Sequence, residues 1–356
     1  MRSRVWRSTT AVVLGGLLAA GCGSGAGDRT SPAAGKGDST GYPVTVTDCA
    51  GAKTTFTAAP RSIVTSNASA LELLLRLGAG DKVIGTGFPP GKGTLPGGLD
   101  ARAQRVKVLG ETVIPKEKLL GSGADLYIDT FASMNMGGGM GDAPTEEEFR
   151  AAGIKHTYLK STACAAMAKG PVTDLSAVQD DIRSLGAVTG TGAKAEELVA
   201  GMKEKLGAVR KAVGGMPEGE RPTYFFFDYD AGTKQPMAVC NRQIANAVIS
   251  LAGARNVFAD CDGDFTQVGW EDVIAKNPDW IQLGVRDWGS EAANEKAFDE
   301  AEQWLRSNAA TKGLKAVEED RFLRIGSERT TIAGVRNADA VEEIARTIHP
   351  GKAGRR

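Results

Sequence analysis

Histidine is nearly absent from this chain of 356 residues, which contains only His156 and His349. A catalytic triad or a metal site built on several histidines needs imidazoles placed together. The sequence also lacks a Gly-x-Ser-x-Gly nucleophile elbow and a Gly-x-x-x-x-Gly-Lys phosphate loop. These absences argue against a hydrolase or a nucleotide-dependent enzyme. We predict a protein that is not an enzyme and that has no metal site or cofactor.

An excess of charge of one sign is also missing. The chain has 43 basic and 43 acidic residues, and no basic block stands out. Because nucleic-acid binding usually needs a basic patch, we predict no nucleic-acid partner. No two cysteines have the CxxC spacing, so a structural zinc site has no support.

The N-terminal apolar run is too short to span a bilayer. Arg2, Arg4 and Arg7 precede residues 11–20 (AVVLGGLLAA), a pattern typical of a secretory signal. The run ends in LAAGC at 18–22, which resembles the bacterial lipoprotein cleavage box, although leucine is commoner than Ala19 at its position. We predict a signal peptide over 1–21 and a lipid on Cys22 that anchors the protein at the extracytoplasmic face of the bacterial membrane. The alternative is an ordinary secretory peptide with an incidental cysteine.

The region after Cys22 divides into a tether and two similar halves. Residues 22–41 carry no large apolar side chain, which predicts a flexible tether. Beyond it, short apolar strands alternate with helical segments, and the order in the first half is repeated in the second. This alternation predicts an α/β fold with largely parallel sheets. We place an N-terminal lobe at 42–170, a connecting helix at 171–214 and a C-terminal lobe at 215–356. A Gly-Thr-Gly sequence at 190–192 breaks the connecting helix in two.

Four cysteines follow Cys22, and an even number in an exported chain suggests disulfides. Cys49 and Cys164 lie in the first half, whereas Cys240 and Cys261 lie in the second. Four cysteines allow three pairings, and we predict pairing within each half. The alternative is a set of free, buried thiols.

Several ordered segments carry a resemblance to a known family. They are 43–49 (PVTVTDC), 61–65 (RSIVT), 70–78 (ALELLLRLG), 181–190 (DIRSLGAVTG), 249–258 (ISLAGARNVF), 267–271 (QVGWE) and 334–342 (GVRNADAVE). In this order the chain resembles the periplasmic binding proteins that serve ABC importers of ferric siderophores, haem and cobalamin. The resemblance implies a class III fold, in which two lobes are joined by a long connecting helix, a ligand binds between them and the lobes move little. It also implies a monomer that delivers its ligand to an importer permease.

Candidate ligand-binding residues lie in loops that follow predicted strands, where α/β sheets bind ligands. Methionine suits an adaptable apolar wall, and aromatic rings can stack on a ligand. The arginine guanidinium group can bind two oxygen atoms of an oxygen-rich ligand at once. For each arginine, the alternative is a surface ion pair. For Trp270, the alternative is packing in the core. A mobile loop or a soft-metal site is the alternative for the methionines. The candidates are Asn67, Phe88, Phe131, Met134, Met136, Tyr229, Arg242, Trp270, Arg286, Trp288 and Arg329.

Glu72 has two interpretations. The resemblance places it where family members contact an arginine of the transporter, whereas Ser69 and Glu72 also have the spacing of a capping box. In the second half, Ser250 occupies the place where the family often has a matching glutamate. Docking at two symmetric points is therefore in doubt.

A ferric siderophore is the predicted ligand, and cobalamin is the closest alternative. Haem is disfavoured because neither histidine is well placed as an axial ligand. A surface sensor that uses the same fold without an importer is a further alternative, and a secreted enzyme is the hypothesis from another class.

Overall fold

A computed structural model describes residues 41–131, 143–167 and 169–352. The predictions for the signal peptide, Cys22, Met134, Met136 and nearly all of the tether lie outside the described residues. Within the described part of the chain, no helix combines the length and the apolarity needed to cross a membrane.

The first lobe is built on a five-stranded sheet in which every pair of neighbours is parallel. Its strand order is β5-β4-β3-β6-β7, and an antiparallel hairpin of β1 and β2 precedes it. The strands are β1 (Val44–Thr47), β2 (Lys53–Phe56), β3 (Ile63–Thr65), β4 (Val83–Gly87), β5 (Val108–Gly110), β6 (Leu126–Asp129) and β7 (Lys155–Tyr158). The helices are α1 (Ala68–Arg76), α2 (Gly98–Ala103), α3 (Lys116–Leu120), α4 (Glu146–Ala151) and α5 (Lys160–Ala163).

Two helices follow the first lobe, separated at the predicted Gly-Thr-Gly break. They are α6 (Ser176–Thr189) and α7 (Gly192–Val213). Gly190 ends α6 in the left-handed conformation, and α7 then packs back along α6. A Cβ on Gly186 would lie 2.4 Å from the Cβ of Ala195, so glycine permits this close approach. The connection between the lobes is therefore α7 alone, about 33 Å long at 1.5 Å per residue.

The second lobe has a four-stranded parallel sheet with the order β10-β8-β12-β13, and a separate antiparallel pair of β9 and β11. The strands are β8 (Thr223–Asp228), β9 (Met237–Val239), β10 (Arg255–Asn256), β11 (Phe265–Gln267), β12 (Trp280–Gly284) and β13 (Phe322–Arg324). The helices are α8 (Ile244–Leu251), α9 (Trp270–Lys276), α10 (Glu291–Ser307), α11 (Lys315–Glu318), α12 (Ser327–Thr331) and α13 (Arg336–Ile348). The predicted fold class, two α/β lobes joined by a long helix, is confirmed.

The largest apolar cluster is shared between the lobes. It contains Leu74 of α1, Val199 and Met202 of α7, and Val341 and Ile344 of α13. Since the buried face of α7 contributes to the same cluster as residues of both lobes, the two lobes are packed onto one helix rather than linked by a loop. This arrangement favours small relative movements of the lobes over wide opening.

The four described cysteines form two disulfides. Cys49 bonds to Cys164 and ties the β1–β2 hairpin to the end of α5, while Cys240 bonds to Cys261 beside β9. Their Cα atoms lie 5.4 Å and 5.0 Å apart, within the usual range for a bridge. The predicted pairing within each half is confirmed.

Candidate functional site

The carboxyl ends of the two parallel sheets meet at one cleft. The loop after β4 crosses to the loop after β12, where Asp287 Oδ2 accepts hydrogen bonds from the Gly91 amide at 2.7 Å and the Thr94 hydroxyl at 2.9 Å. The Lys92 amide also donates to the Gly289 carbonyl at 2.9 Å. A Cβ on Gly91 would lie 2.3 Å from Asp287 Oδ1, so only glycine fits this approach. These contacts bring together loops at the carboxyl ends of both sheets, the ends at which α/β sheets usually bind ligands.

Two aromatic rings lie together on the first-lobe side of this cleft. Phe88 and Phe131, both half-buried, form an edge-to-face pair with ring centroids 5.5 Å apart. Phe88 has a φ of +34°, which is uncommon for a residue other than glycine. Strained backbone of this kind clusters at ligand sites, where the surrounding structure holds it in place. The structure thus brings two of the predicted residues together as an aromatic wall.

Asn67 lies next to this wall but has a structural role. It is buried, and its side-chain oxygen accepts a hydrogen bond from the Ala70 amide at 3.0 Å, which makes it the N-cap of α1. The Ala68 amide donates to the Phe88 carbonyl, so this cap also fixes the start of the Phe88 loop. Asn67 therefore helps to position the Phe88 ring through the start of α1 and makes no direct contribution to the aromatic wall.

Arg286 and Trp288 supply the second-lobe side. Trp288 is 59% exposed, a large value for an indole ring, and the Arg286 side chain is 57% exposed. One Arg286 guanidinium nitrogen lies 3.7 Å from Asp228 Oδ2, and the Arg286 amide donates to Asp230 Oδ2 at 2.7 Å. Burial raises the pKa of Asp228, and the charge of Arg286 opposes that rise. An exposed cation and an exposed ring thus flank Asp287, the residue that contacts the first lobe.

Tyr229 is adjacent to this group but turns partly into the core. Its ring packs edge-on against Phe227 with centroids 6.0 Å apart, and it is half-buried. Burial raises the pKa of Tyr229, so the phenol is neutral near pH 7 and can donate a hydrogen bond.

Three other predicted residues, Trp270, Arg242 and Arg329, make the core or ion-pair contacts given above as their alternatives. Trp270 is 8% exposed and packs among Phe225, Phe227 and Trp304, with its indole N–H donating to the Thr233 carbonyl. This ring is a core residue because α9 turns it under the second sheet. It does not line the cleft.

Arg242 and Arg329 are both held by carboxylates. Arg242 pairs with Asp262, which directly follows the Cys240–Cys261 disulfide loop, and this hydrogen-bonded ion pair raises the pKa of Arg242. Arg329 pairs with Glu343 of α13 at 2.6 Å, and its Nε is buried without a hydrogen-bond partner. The geometry thus favours the ion-pair interpretation for both residues and leaves Arg286 as the exposed arginine of the predicted set.

Glu72 is buried rather than presented to a partner. It is 2% exposed, and its Oε1 accepts two hydrogen bonds from Arg76, at 2.8 Å and 2.6 Å. Its Oε2 lies 3.8 Å from Arg336 of the second lobe. The capping-box prediction is wrong, because Asn67 and not Ser69 caps α1. The docking role of Glu72 stays a prediction, and in this structure the carboxylate is directed to two arginines.

Two cleft residues were missed from the sequence. Asp287 lies between two predicted residues, yet its partners are almost 200 positions away in the chain. Glu328 lies beneath it and accepts a hydrogen bond from the Asp287 amide at 3.0 Å. Burial raises the pKa of Glu328. The sequence did contain one signal for Asp287, which is its position between two predicted ligand-binding residues, Arg286 and Trp288.

The histidines contribute to neither side of the cleft. His156 lies within β7 and contacts Glu146 of α4 at 2.7 Å, while His349 follows α13 and contacts the Gly253 carbonyl at 3.2 Å. Across the residues that the structure describes, no three histidine, cysteine, aspartate or glutamate side chains are grouped in a way that could hold a metal ion.

Comparison with known proteins agrees with this architecture. Residues 63–328 match the periplasmic binding protein family. The chain is 24% identical over 350 residues, covering 98% of both chains, to YvrC of Bacillus subtilis, described as an uncharacterized ABC transporter substrate-binding lipoprotein. It is 25% identical over 248 residues to a cobalamin-binding protein of Halobacterium salinarum, covering 68% of this chain and 59% of that protein.

Solved structures show the same fold. A periplasmic binding protein from Veillonella parvula superposes with a TM-score of 0.73 and 26% identity, covering 88% of this chain and 99% of that one. A structure from Saccharomonospora viridis, described as an ABC-type Fe3+-hydroxamate transport system, gives 0.70 and 23% identity, covering 86% and 99%. The family match spans most of the chain and includes both sides of the cleft. The chain therefore belongs to the periplasmic binding protein family and is the substrate-binding protein of an ABC transporter.

Proposed function

We propose that this protein captures a ferric siderophore in the cleft and delivers it to the permease of an ABC importer. The observation that carries the proposal is the exposed pair Arg286 and Trp288. The residue between them, Asp287, is hydrogen-bonded to the first-lobe loop that follows Phe88. A cation and an indole ring are thus available at the point where the two sides of the cleft meet.

The chemistry of this pair suits an oxygen-rich, often anionic complex. The guanidinium group stays charged at every physiological pH and binds two acceptor oxygens at once. The indole of Trp288 and the rings of Phe88 and Phe131 offer apolar faces for a catechol or an aliphatic spacer. Asp228 keeps Arg286 oriented at 3.7 Å without enclosing it.

Tryptophan fluorescence during titration tests the proposal. The probes are ferrioxamine B, ferric enterobactin, haem and cyanocobalamin, and we expect saturable quenching by one of the two ferric siderophores. Arg286→Gln should weaken that binding about tenfold or more, the scale of one lost charged hydrogen bond. Arg346→Gln, an exposed arginine on α13, is the matched control and should bind normally. Quenching by haem alone, or equal binding by Arg286→Gln, would contradict the proposal.

Cobalamin is the second candidate. The relative from Halobacterium salinarum supports it, because that protein is described as cobalamin-binding and is similar over 68% of this chain. Saturable quenching by cyanocobalamin without quenching by either siderophore would select this function. The large, mostly neutral corrin ligand would then depend on Trp288 and Phe88 more than on Arg286.

We also propose that Cys22 carries a lipid that keeps the receptor beside its permease, with residues 22–41 as the tether. The lipoprotein box at 18–22 and the description of the Bacillus relative as a lipoprotein support this anchor. A tether of this kind raises the effective concentration of receptor at the transporter. We expect Cys22→Ala to shift the protein from the membrane fraction to the soluble fraction, measured by immunoblotting. Equal membrane retention of both forms would refute the anchor.

A further inference from the structure

A second cavity lies at the opposite end of the second sheet from the cleft. It has a volume of about 610 Å³ and is bordered by Pro222, which precedes β8, by Trp280 at the start of β12, and by Arg321, which precedes β13. The end of α13 closes one side. Strands β8, β12 and β13 are parallel, so their amino ends lie together at this cavity and their carboxyl ends lie together at the cleft. It is large enough for a small-molecule ligand.

Basic side chains dominate the lining of this cavity. Arg221, Arg255 and Lys352 border it, and none of the three makes a salt bridge within the described residues. The Arg221 Nε donates to the Met216 carbonyl at 3.4 Å, and the Arg255 Nε donates to the Arg221 carbonyl at 3.3 Å. Backbone carbonyls therefore hold both guanidinium groups in place without neutralising them.

The other charged residues of the lining largely cancel. Arg321 pairs with Glu319 at 2.6 Å, and Asp279 pairs with Lys315 at 2.5 Å. Glu220 is the remaining acidic residue of the lining, set against three uncompensated cations. The cavity therefore keeps an excess of positive charge.

The pKa of His349 responds to this excess of positive charge. Its ring is buried at the edge of the cavity and contacts the Gly253 carbonyl at 3.2 Å. Burial, together with the charges of Lys352 and Arg221, holds the pKa of His349 below its usual range. The imidazole is therefore neutral near pH 7, and an anion bound beside it would favour its protonated form.

We propose that this cavity is a binding site for a small soluble molecule that carries phosphate, with a diphosphate as the simplest example. Arginine forks and a lysine are side chains that bind phosphate oxygens, and here Arg221, Arg255 and Lys352 border one cavity from three separate segments. The indole of Trp280, with the Arg321 guanidinium 5.8 Å from its centroid, adds an apolar wall for the rest of the ligand. The site is separate from the cleft and does not depend on which ligand the cleft binds.

The two histidines make the proposal measurable in the intact protein. Imidazole NMR resonances of His349 report on the cavity, while those of His156 in β7 report on the first lobe and serve as an internal reference. We expect inorganic pyrophosphate to shift the His349 resonances saturably and to raise the pKa of His349. By linkage, pyrophosphate should bind more tightly as the pH falls through that pKa. The His156 resonances should stay in place, as should those of His349 in sodium chloride of equal ionic strength.

Charge-removing variants complete the test. Arg221→Gln and Lys352→Gln should each weaken pyrophosphate binding about tenfold, whereas Lys312→Gln, an exposed lysine elsewhere in the second lobe, should leave it unchanged. A circular dichroism spectrum and a thermal unfolding midpoint equal to those of the parent show that each variant is folded. Shifts that sodium chloride reproduces, or that survive in both cavity variants, would overturn the proposal. Binding to phosphatidylglycerol vesicles without binding of pyrophosphate would also overturn it, in favour of a lipid surface.

Discussion

Asp264 illustrates how burial alone changes the behaviour of one residue. It lies directly before β11, and its Oδ1 is buried without a hydrogen-bond partner. Burial raises the pKa of Asp264 to about 6. The folded protein therefore holds this proton more tightly than the unfolded chain does. Stability is unaffected where both states are protonated, below about pH 4, and falls as the pH rises through 6.

Asp264→Asn should remove this penalty. We expect the variant to be more stable than the parent at pH 8, by about 2 kcal/mol, and to show nearly equal stability at pH 4. Urea unfolding at the two pH values measures both differences. Glu204→Gln, which removes an exposed carboxylate, should show neither effect. Parallel stability curves for parent and Asp264→Asn across this pH range would contradict the assignment.

At the scale of elements, α1 is tied to α13 by a buried ionic contact. Glu72 lies between Arg76 of the same helix and Arg336 of α13, so one carboxylate serves two lobes. Burial lowers the pKa of Arg336, and the charge of Glu72 opposes that change. Removing one member of such a group leaves the others buried without compensation.

Glu72→Ala should therefore destabilise the fold by about 3 kcal/mol. Glu197→Ala is the matched control, because Glu197 pairs with Lys194 on the exposed surface of α7 and should contribute at most about 0.5 kcal/mol. Denaturant unfolding with an unchanged m value measures the difference. If the two variants lose the same stability, Glu72 does not hold the elements together.

At the scale of the whole molecule, contacts across the cleft hold the lobes in the observed arrangement. Asp287 accepts two hydrogen bonds from the first lobe, and a backbone bridge joins Lys92 to Ser290 beside it. Asp287 Oδ1 also accepts hydrogen bonds from the Gly289 amide and the Asn294 side chain. The same carboxylate thus shapes its own loop and joins it to the other lobe.

Asp287→Ala should loosen this junction while leaving both sheets folded. We expect amide hydrogen exchange in residues 91–95 to accelerate about tenfold, the scale of one charge-assisted hydrogen bond. Exchange measured by mass spectrometry tests this, with Asp299→Ala on the exposed side of α10 as the control. Unchanged exchange in 91–95 would show that the lobes are held by the α7 core alone.

Local pattern predicted most of the elements. The predicted alternation of short apolar strands with helical segments is the element order observed in both lobes. Apolar spacing and glycine stops are properties of neighbouring residues, so they can be read along the chain. The return of α7 along α6 could not be read in this way, because it depends on the contact between Gly186 and Ala195.

The sequence by itself determined the α/β order, the family and the loops that border the cleft, since each follows from short segments in sequence. Only the tertiary structure decided which residues of those loops are available. Packing turned Trp270 into the core and enclosed Glu72 between two arginines, and it brought Asp287 to Gly91 across the cleft. The physical reason is that burial and charge compensation depend on partners distant in the chain, and a residue type alone does not specify its partners.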